Sequence, residues 1–439
     1  MISLVHDCLS YGGEKMKKII KLILISVLAL SMVACSNNNS GNEDVAEKGE
    51  IVIWHTFTEG QNAALTKIAE DFNAQYGENW KVVVEQQPYA DFDSKVATAV
   101  RSGAGPDICI YFDTQASQYG AEGLLVDFLP LMEADGYVDE FKTRINEGAF
   151  ADATCTDGKM YMWPMNQTAN VVFYNVDMYE ELGLEIPTTW DEYLANSDAI
   201  NAKYGVPGMA FDDLPANAGL WFKQCGVKYI NDDGKSVGFN TPEGLKVLNW
   251  FKDGVASGSV AVAPTGDYFS EDIGAGTVGS YIGSCAGAPY VASACEGNGI
   301  NWGVFAIPQW TDNTFTTAYI RGVLGFTKAE EGHDKAIYDF AKYWSSKEVA
   351  AYWCSEFFAL TPYLDAAEEE VYKNFLAKDK AMELAALGVK YGYVDPVTPG
   401  SNTCRTELTN LFKQVATGLV TAEEGMAAAE AACNAALAQ

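Results

Sequence analysis

Residues 50–54 read EIVIW, residues 81–85 read KVVVE and residues 108–112 read ICIYF. Each segment is a short, mostly apolar run of the length of a buried strand. The two stretches between them, Gln61–Tyr76 and Phe92–Arg101, carry apolar residues at helical spacing. Strand, helix, strand, helix, strand in this order predicts a parallel α/β sheet with helices as its crossover connections.

The residues that follow these strands are the first candidates for a binding site. In open parallel sheets, ligands lie beyond the carboxyl ends of the strands. Trp54 and His55 end the first predicted strand, Tyr89 follows the second and Asp113 follows the third. We therefore expect these four side chains to lie near a ligand.

A targeting signal is predicted near the N-terminus. An apolar run at residues 22–30 follows several lysines and ends at Met32-Val33-Ala34-Cys35. This pattern is typical of a secretory signal, and the run is shorter than the roughly 20 residues that span a bilayer. The cysteine resembles the lipobox of bacterial lipoproteins, so we expect removal of residues 16–34 and a lipid on Cys35. An ordinary signal peptide or a transmembrane helix is the alternative.

Two further expectations concern the segments on either side of this signal. Residues 1–15 are expected to be an upstream extension that is not translated, because Met16-Lys17-Lys18 is a typical start of a signal peptide. Residues 35–49 are polar and rich in Asn, Gly and Glu, which predicts a flexible tether.

Composition argues against several partners and cofactors. The formal net charge is −30, whereas binding nucleic acid needs clustered lysine and arginine. No CxxC pair and no Cys/His cluster occurs in the sequence, so we expect no zinc site and no cofactor. Cys109 and Cys433 stand in apolar contexts that favour buried thiols. Cys285 and Cys295 are the one closely spaced pair that merits a test for a disulfide.

Six motifs follow one another along the chain: IVIWH at 51–55, GPDI at 105–108 leading to Asp113, GLLVD at 123–127, the stretch Pro164–Asn175, PTTW at 187–190, and WGV at 302–304 with Pro308. In this order, and behind a lipobox, they resemble the family 1 extracellular solute-binding proteins of bacterial ABC importers. That group includes maltose-binding and glycerol-3-phosphate-binding proteins. The resemblance covers about Glu50 to Gly425.

The resemblance implies an α/β, two-lobed periplasmic-binding-protein fold of type II, with the ligand cleft between lobes that hinge strands join. The N-terminal lobe is expected at 50–164 plus 307–326, and the C-terminal lobe at 165–306 plus 327–439. Closure of the lobes around a solute would create the form that the membrane permease recognises. The resemblance implies no enzymatic chemistry, and we expect a monomer.

The resemblance also implies roles for individual residues. Asp113 matches a carboxylate that accepts hydrogen bonds from ligand hydroxyls. Tyr89 and Thr168 match a ligand-contacting tyrosine and a hinge serine of the glycerol-phosphate binder, and Gly322 matches a glycine whose backbone approaches the ligand. An exposed loop aspartate and ordinary packing are the alternative interpretations.

Arg405 and the loop around Ser284 bear on the class of ligand. Arg405 matches a stacking tryptophan of the maltose binder and a ligand-binding arginine of the glycerol-phosphate binder. It can anchor a phosphate, bind sugar hydroxyls or stack on a ring; a salt bridge with Glu407 or another acid is the alternative. Gly283 and Ser284 lie where maltose-type relatives carry an aromatic residue nearby, and Ser284 can donate a hydrogen bond to a small polar ligand.

These features predict a substrate-binding lipoprotein that captures a sugar, a polyol or a glycerol phosphate outside the membrane. An exported glycoside hydrolase is one alternative, which requires two carboxylates about 5–10 Å apart across the scissile bond. A surface carbohydrate-binding adhesin or sensor component is another, with the same fold and a different partner. The sequence contains no GxSxG, HExxH or Walker motif.

Overall fold

The computed structural model describes residues 49–438 except 58, 89–90, 263–267 and 313. The predicted signal peptide, Cys35 and Tyr89 lie outside the described residues. Among the helices of the described part, none is both long enough and apolar enough to cross a membrane.

The strands and helices have the following bounds. The strands are β1 Gly49–His55, β2 Trp80–Gln86, β3 Ile108–Tyr111, β4 Trp163–Asn175, β5 Met209–Phe211, β6 Val260–Val262, β7 Ser280–Ser284, β8 Trp302–Phe305, β9 Thr316–Gly325 and β10 Gly392–Tyr393. The α-helices are Glu59–Tyr76, Phe92–Arg101, Asp113–Ala121, Phe128–Ala134, Val138–Arg144, Glu147–Ala153, Val176–Leu182, Trp190–Tyr204, Leu214–Gln224, Pro242–Ala256, Ser270–Ala275, Ala288–Asn298, His333–Trp344, Lys347–Phe357, Glu370–Leu376, Lys380–Gly388, Ser401–Ala416 and Ala422–Leu437.

The described strands form one open sheet in the order β2-β1-β3-β9-β4-β7-β5-β6, with β8 paired to β4 and β10 to β9. β1 pairs in parallel with β2 and with β3, as the sequence predicted. The helices Glu59–Tyr76 and Phe92–Arg101 connect these strands, because each buries one apolar stripe against them. These strands and helices enclose a buried apolar core that contains Ile53 and Ile108. We call the part of the chain that packs around this core the first half.

The remaining strands carry a second body of packed helices. Val172 and Ile282 lie in one buried cluster with Trp221 and Phe412, whereas Phe173 and Tyr281 lie in another. Because alternate residues of a strand point to opposite faces, the two clusters lie on opposite faces of the sheet formed by β4 and β7. We call the part of the chain around these two clusters the second half.

β4 joins the two halves. Its residues up to Ala169 pair with β9, which in turn pairs with β3 of the first half. From Asn170 onward, β4 pairs instead with β7 and β8 of the second half. This exchange of partners falls next to Thr168, where the sequence resemblance predicted a hinge.

The predicted boundary at residue 327 does not follow the packing. The helices His333–Trp344 and Lys347–Phe357 bury Ile337, Phe340 and Trp353 in the same cluster as Ile53, so this segment belongs to the first half. Their apolar faces are complementary to the helix Glu59–Tyr76, where Phe72 stands edge-on to Phe340 at a ring distance of 5.2 Å. The sequence shows such a face but not which core covers it.

A buried charged cluster fixes this segment to the first strand. Asp107 accepts hydrogen bonds from the backbone N–H of Val52 (2.7 Å) and from Nε2 of His333 (2.7 Å), and it forms an ion pair with Lys328. His333 and Asp107 are each 1% exposed. Although burial alone would lower it, the pKa of His333 is raised to about 9 by hydrogen bonds to Asp107 and Asp334. His333 is therefore a charged, structural residue at neutral pH.

We expect the free energy of unfolding to fall between about pH 6.5 and pH 9. The folded pKa of His333 lies above the value near 6.5 of an unfolded chain, so its contribution is complete below that pH and is lost as pH rises through about 9. The slope should reach up to about 1.4 kcal/mol per pH unit. Urea denaturation across this range measures it, and His333→Gln should flatten the profile. An identical slope in the variant would show that other groups cause the loss.

Candidate ligand-binding cleft

A cleft with a volume of about 940 Å³ lies between the two halves. Gln61 and Phe357, from helices of the first half, line one side, and Leu214 and Pro289, from helices of the second half, line the other. Thr168 also lines it, next to the point where β4 changes partners. A movement about this strand would therefore change the width of the cleft.

Two tyrosines expose their rings in this cleft. Tyr268 is 72% exposed and Tyr290 is 70% exposed, and both line the cleft. Tyr290 lies in the first turn of the helix Ala288–Asn298, directly after Pro289. Flat aromatic faces in a concave site offer surfaces for the apolar faces of a ring-shaped ligand.

Polar side chains from the central strands line the same space. Asn170 donates a hydrogen bond to the hydroxyl oxygen of Tyr319 (3.4 Å), and Ser284 Oγ accepts one from the backbone N–H of Ala286 (3.3 Å). Asn166 accepts a hydrogen bond from Trp353 Nε1 (3.3 Å). An amide offers two donors and two acceptor sites, so these groups can bind ligand hydroxyls in addition.

Asp212 is a half-buried acid that lines the cleft. It directly follows β5, and its Oδ1 accepts a hydrogen bond from the backbone N–H of Phe269 (2.9 Å). Burial raises the pKa of its carboxyl group to about 7. A Cβ atom on Gly283 would lie 2.5 Å from Asp212 Oδ2, so the glycine is what lets this carboxylate approach β7. Gly283, predicted as a ligand residue, lines neither this cleft nor the small cavity beside it.

The small cavity has a volume of about 90 Å³ and shares Phe112 and Tyr319 with the cleft as lining residues. Asp113, Asp152, Asp395 and Arg405 line it. Asp113 and Asp152 belong to helices packed on the first core, and Arg405 belongs to the helix Ser401–Ala416 of the second half. Like the cleft, this small cavity is bounded by both halves.

Arg405 is paired with an acid that the sequence did not indicate. Its Nη2 donates to both carboxylate oxygens of Asp213, at 3.1 and 2.9 Å. Asp213 also caps the helix Leu214–Gln224 by accepting a hydrogen bond from the backbone N–H of Ala216 (3.1 Å). The salt-bridge partner is therefore Asp213 and not Glu407, and the charge of Arg405 is already balanced by one carboxylate.

The other carboxylates of the small cavity are harder to ionise. Burial raises the pKa of Asp113, against the opposing effect of Arg405. Burial and then the charges of Asp113 and Asp395 raise the pKa of Asp152 well above its usual range. Burial raises the pKa of Asp395 to about 6, although its hydrogen bond from Tyr393 opposes the shift. Arg405 thus lines a cavity with three carboxyl groups and is paired with a fourth, that of Asp213.

Four of the predicted site residues line one or the other of the two spaces. Thr168 and Ser284 line the cleft, and Asp113 and Arg405 line the small cavity. Whether they contact a ligand stays a prediction.

Trp54 and His55 line neither space, contrary to expectation. Trp54 Nε1 donates to Glu85 (2.8 Å), and Lys95 Nζ lies 4.6 Å from its ring centroid. His55 is 2% exposed, accepts a hydrogen bond at Nδ1 from the backbone N–H of Phe57 (3.0 Å), and has its pKa lowered to about 4 by burial. Both residues are held by the first half itself, although they end the first strand.

Gly322 has a packing role in this structure. It lies in β9 opposite Tyr111 of β3 and Pro164 of β4. A Cβ atom there would lie 2.3 Å from Met162 Cγ and 2.5 Å from the carbonyl oxygen of Trp163. Gly322 lines neither the cleft nor the small cavity.

Several residues that line the two spaces were not among the candidates from the sequence. Asp212 and Asp213 directly follow the short apolar run of β5, so the rule that ligands lie beyond carboxyl strand ends could have found them. Tyr290 comes soon after Ser284, which was itself a predicted ligand residue, so its position in the sequence also pointed to the site. Asp152 and Asp395 carry no such signal, because only the folded chain brings them beside Arg405.

The model of the bacterial extracellular solute-binding protein family matches residues 67–383, and the chain belongs to this family. Its members are extracellular proteins, which places the chain outside the cytoplasm. The family is one of binding proteins rather than enzymes.

Two curated relatives agree with this assignment. A putative binding protein of Brucella abortus (strain 2308) is 28% identical over 241 residues, which cover 52% of this chain and 55% of the relative. The sn-glycerol-3-phosphate-binding periplasmic protein of the same strain is 28% identical over 162 residues, 36% of this chain and 37% of the relative. The chain thus spans about half or less of the length of these relatives.

A solved structure confirms the predicted fold. The cyclic α-maltosyl-1,6-maltose binding protein of Arthrobacter globiformis superimposes with a TM-score of 0.77 at 22% identity, over 89% of this chain and 100% of the other. The predicted two-lobed α/β fold of the periplasmic-binding-protein type is therefore correct.

We expect Gly322→Ala to destabilise the protein by about 1–3 kcal/mol, because the added methyl group overpacks β4 and β9. Urea denaturation measures this. Gly297→Ala is the matched control: a Cβ there meets nothing within 4 Å, so stability should hold or rise slightly. Unchanged stability of Gly322→Ala would contradict the packing role.

Proposed function

We propose that this chain captures a sugar-like solute in the cleft and delivers it to the permease of an ABC importer. The observation that carries the proposal is the pair of exposed rings, Tyr268 and Tyr290, in a cleft lined by polar side chains. A sugar has apolar ring faces and a rim of hydroxyls, which matches this combination of groups.

The size of the cleft supports a ligand larger than one ring. A volume of about 940 Å³ lies at the upper end of the range of about 300–1,000 Å³ that is usual for ligand sites. The structural neighbour described above binds a cyclic oligosaccharide of maltose units. We therefore favour an oligosaccharide.

The surroundings of Arg405 argue against a phosphate at that residue. Its guanidinium is bound by Asp213, and Asp113, Asp152 and Asp395 line the same small cavity. A phosphate there would compete with Asp213 for Arg405, and each of the other carboxyl groups that is ionised would repel it. One relative binds sn-glycerol 3-phosphate, so this ligand is the second candidate to test.

We propose that the ligand is delivered to the permease by closure of the two halves. The ligand would stabilise the form in which the two halves close around it, and the permease would recognise that form. We also propose that a lipid on Cys35 anchors the chain to the outer face of the cell membrane. A hydrolase would instead release shorter sugars, and the site of a binding protein would return its ligand unchanged.

We expect neutral oligosaccharides to raise the melting temperature and glycerol 3-phosphate to leave it unchanged. A ligand that binds only the folded state stabilises it by mass action. Thermal unfolding with each compound measures this, and mass spectrometry of the recovered sugar tests for hydrolysis. A shift with glycerol 3-phosphate alone would contradict the sugar proposal.

Tyr290→Ala should weaken oligosaccharide binding about tenfold, which corresponds to about 1.4 kcal/mol. The expected cause is the loss of an aromatic face that packs on a sugar ring. Tyr76→Ala is the matched control, because Tyr76 is 57% exposed and lines neither the cleft nor the small cavity. Isothermal titration calorimetry measures both variants; an equal loss in each would contradict a ligand role of Tyr290.

A further inference from the structure

Carboxyl groups outnumber cationic side chains at the small cavity, and a neutral sugar would not offset this excess. Asp113, Asp152 and Asp395 line this cavity together with Arg405, and a fourth carboxyl group, that of Asp213, pairs with Arg405. Asp213 binds Arg405 directly through both carboxylate oxygens. Among the described residues, Arg405 is thus the cationic side chain that lines the cavity beside the other three carboxyl groups, and its charge is shared with Asp213.

Two mostly buried side chains at this cavity have no hydrogen-bond partner among the described residues. Asp152 is 6% exposed, and no hydrogen bond reaches its carboxylate from the described residues. Tyr229 is 3% exposed, and its hydroxyl has no hydrogen-bond partner among the described residues either. Both residues line the cavity. Because unpaired buried polar groups are costly, a bound group that satisfies them would be stabilised.

We propose that the small cavity binds a protonated amino group of the ligand, so that the solute is an oligosaccharide containing an amino sugar. This inference rests on the proposed function and names the class of sugar. An ammonium group has three donors and no acceptor, so it fits a cavity lined by acceptors. It also supplies the positive charge that Asp113, Asp152 and Asp395 lack.

The size and position of the cavity agree with this occupant. The volume of about 90 Å³ is about one tenth of that of the cleft, which suits a substituent of a sugar held in the cleft. Phe112 and Tyr319 line both the cavity and the cleft. A sugar ring that packs in the cleft can thus extend an amino substituent past these two residues.

A metal ion is a weaker candidate for the same charge. Within the described part of the chain, no three His, Cys, Asp or Glu side chains are arranged to hold one. An ammonium nitrogen lies about 2.7–2.9 Å from each acceptor oxygen, which is longer than a metal–oxygen bond, and it tolerates looser geometry than a metal ion does. Burial, and then the charges of Asp113 and Asp395, raise the pKa of Asp152, and a cation that enters the cavity would favour the ionised carboxylate.

The test compares matched sugars that differ in one substituent. The β-1,4-linked disaccharide of glucosamine, its N-acetylated form and the corresponding glucose disaccharide are titrated calorimetrically at about pH 6.5, below the ordinary pKa of such an amine. A panel of longer oligomers of each series extends the comparison. We expect the amine series to bind at least tenfold more tightly than both neutral series.

Asp152→Asn and Tyr229→Phe identify the cavity as the site of recognition. Each should remove most of the preference for the amine and leave the affinity for the neutral series within about twofold. The ligand-free melting temperature of Asp152→Asn should hold or rise, since an uncompensated buried acid is removed. The exposed Asp253→Asn is the control and should keep the full preference.

Each outcome decides between the two proposals. Neutral sugars that bind as tightly as the amine series overturn this inference and leave the proposed function standing. A preference for the amine that survives both cavity variants overturns the assignment to this cavity. Absence of binding by every sugar in all three series contradicts the proposed function, and this inference with it.

Discussion

The pairing of β4 is the constraint on which the rest of the molecule depends. One strand pairs with β9 up to Ala169 and with β7 and β8 from Asn170 onward, so one run of backbone belongs to both halves. Buried backbone groups must keep their hydrogen bonds, which makes this exchange of partners hard to move along the sequence. The cleft lies beside the exchange, and Thr168 and Asn170 line it for that reason.

The charges of the site follow from a second constraint, the burial of carboxyl groups between the halves. Asp213 has two tasks, because it caps the helix Leu214–Gln224 and binds Arg405. A guanidinium that is paired with a carboxylate attracts an anionic ligand less strongly than an unpaired guanidinium does. The same residue that suggested a phosphate in the sequence therefore supports a neutral or cationic ligand in the structure.

Much of the fold could be predicted because local patterns determine it. β1, β2, β3 and the helices between them agree with the expected segments. The packing of His333–Trp344 was not, since an apolar face does not name its partner. The pairing of Arg405 with Asp213 joins residues 192 positions apart, beyond the reach of any local pattern. Trp54 ends a strand as expected but is held by Glu85.

Hydrogen–deuterium exchange with a bound oligosaccharide tests the central claim most directly, because it reports which backbone segments a ligand orders. We predict slower exchange in peptides covering residues 212–215 and 284–290, which contain the lining residues that the second half contributes to the cleft. Residues 54–56 should show no change. Protection confined to residues 54–56, with 212–215 and 284–290 unaffected, would contradict the placement of the ligand in the cleft.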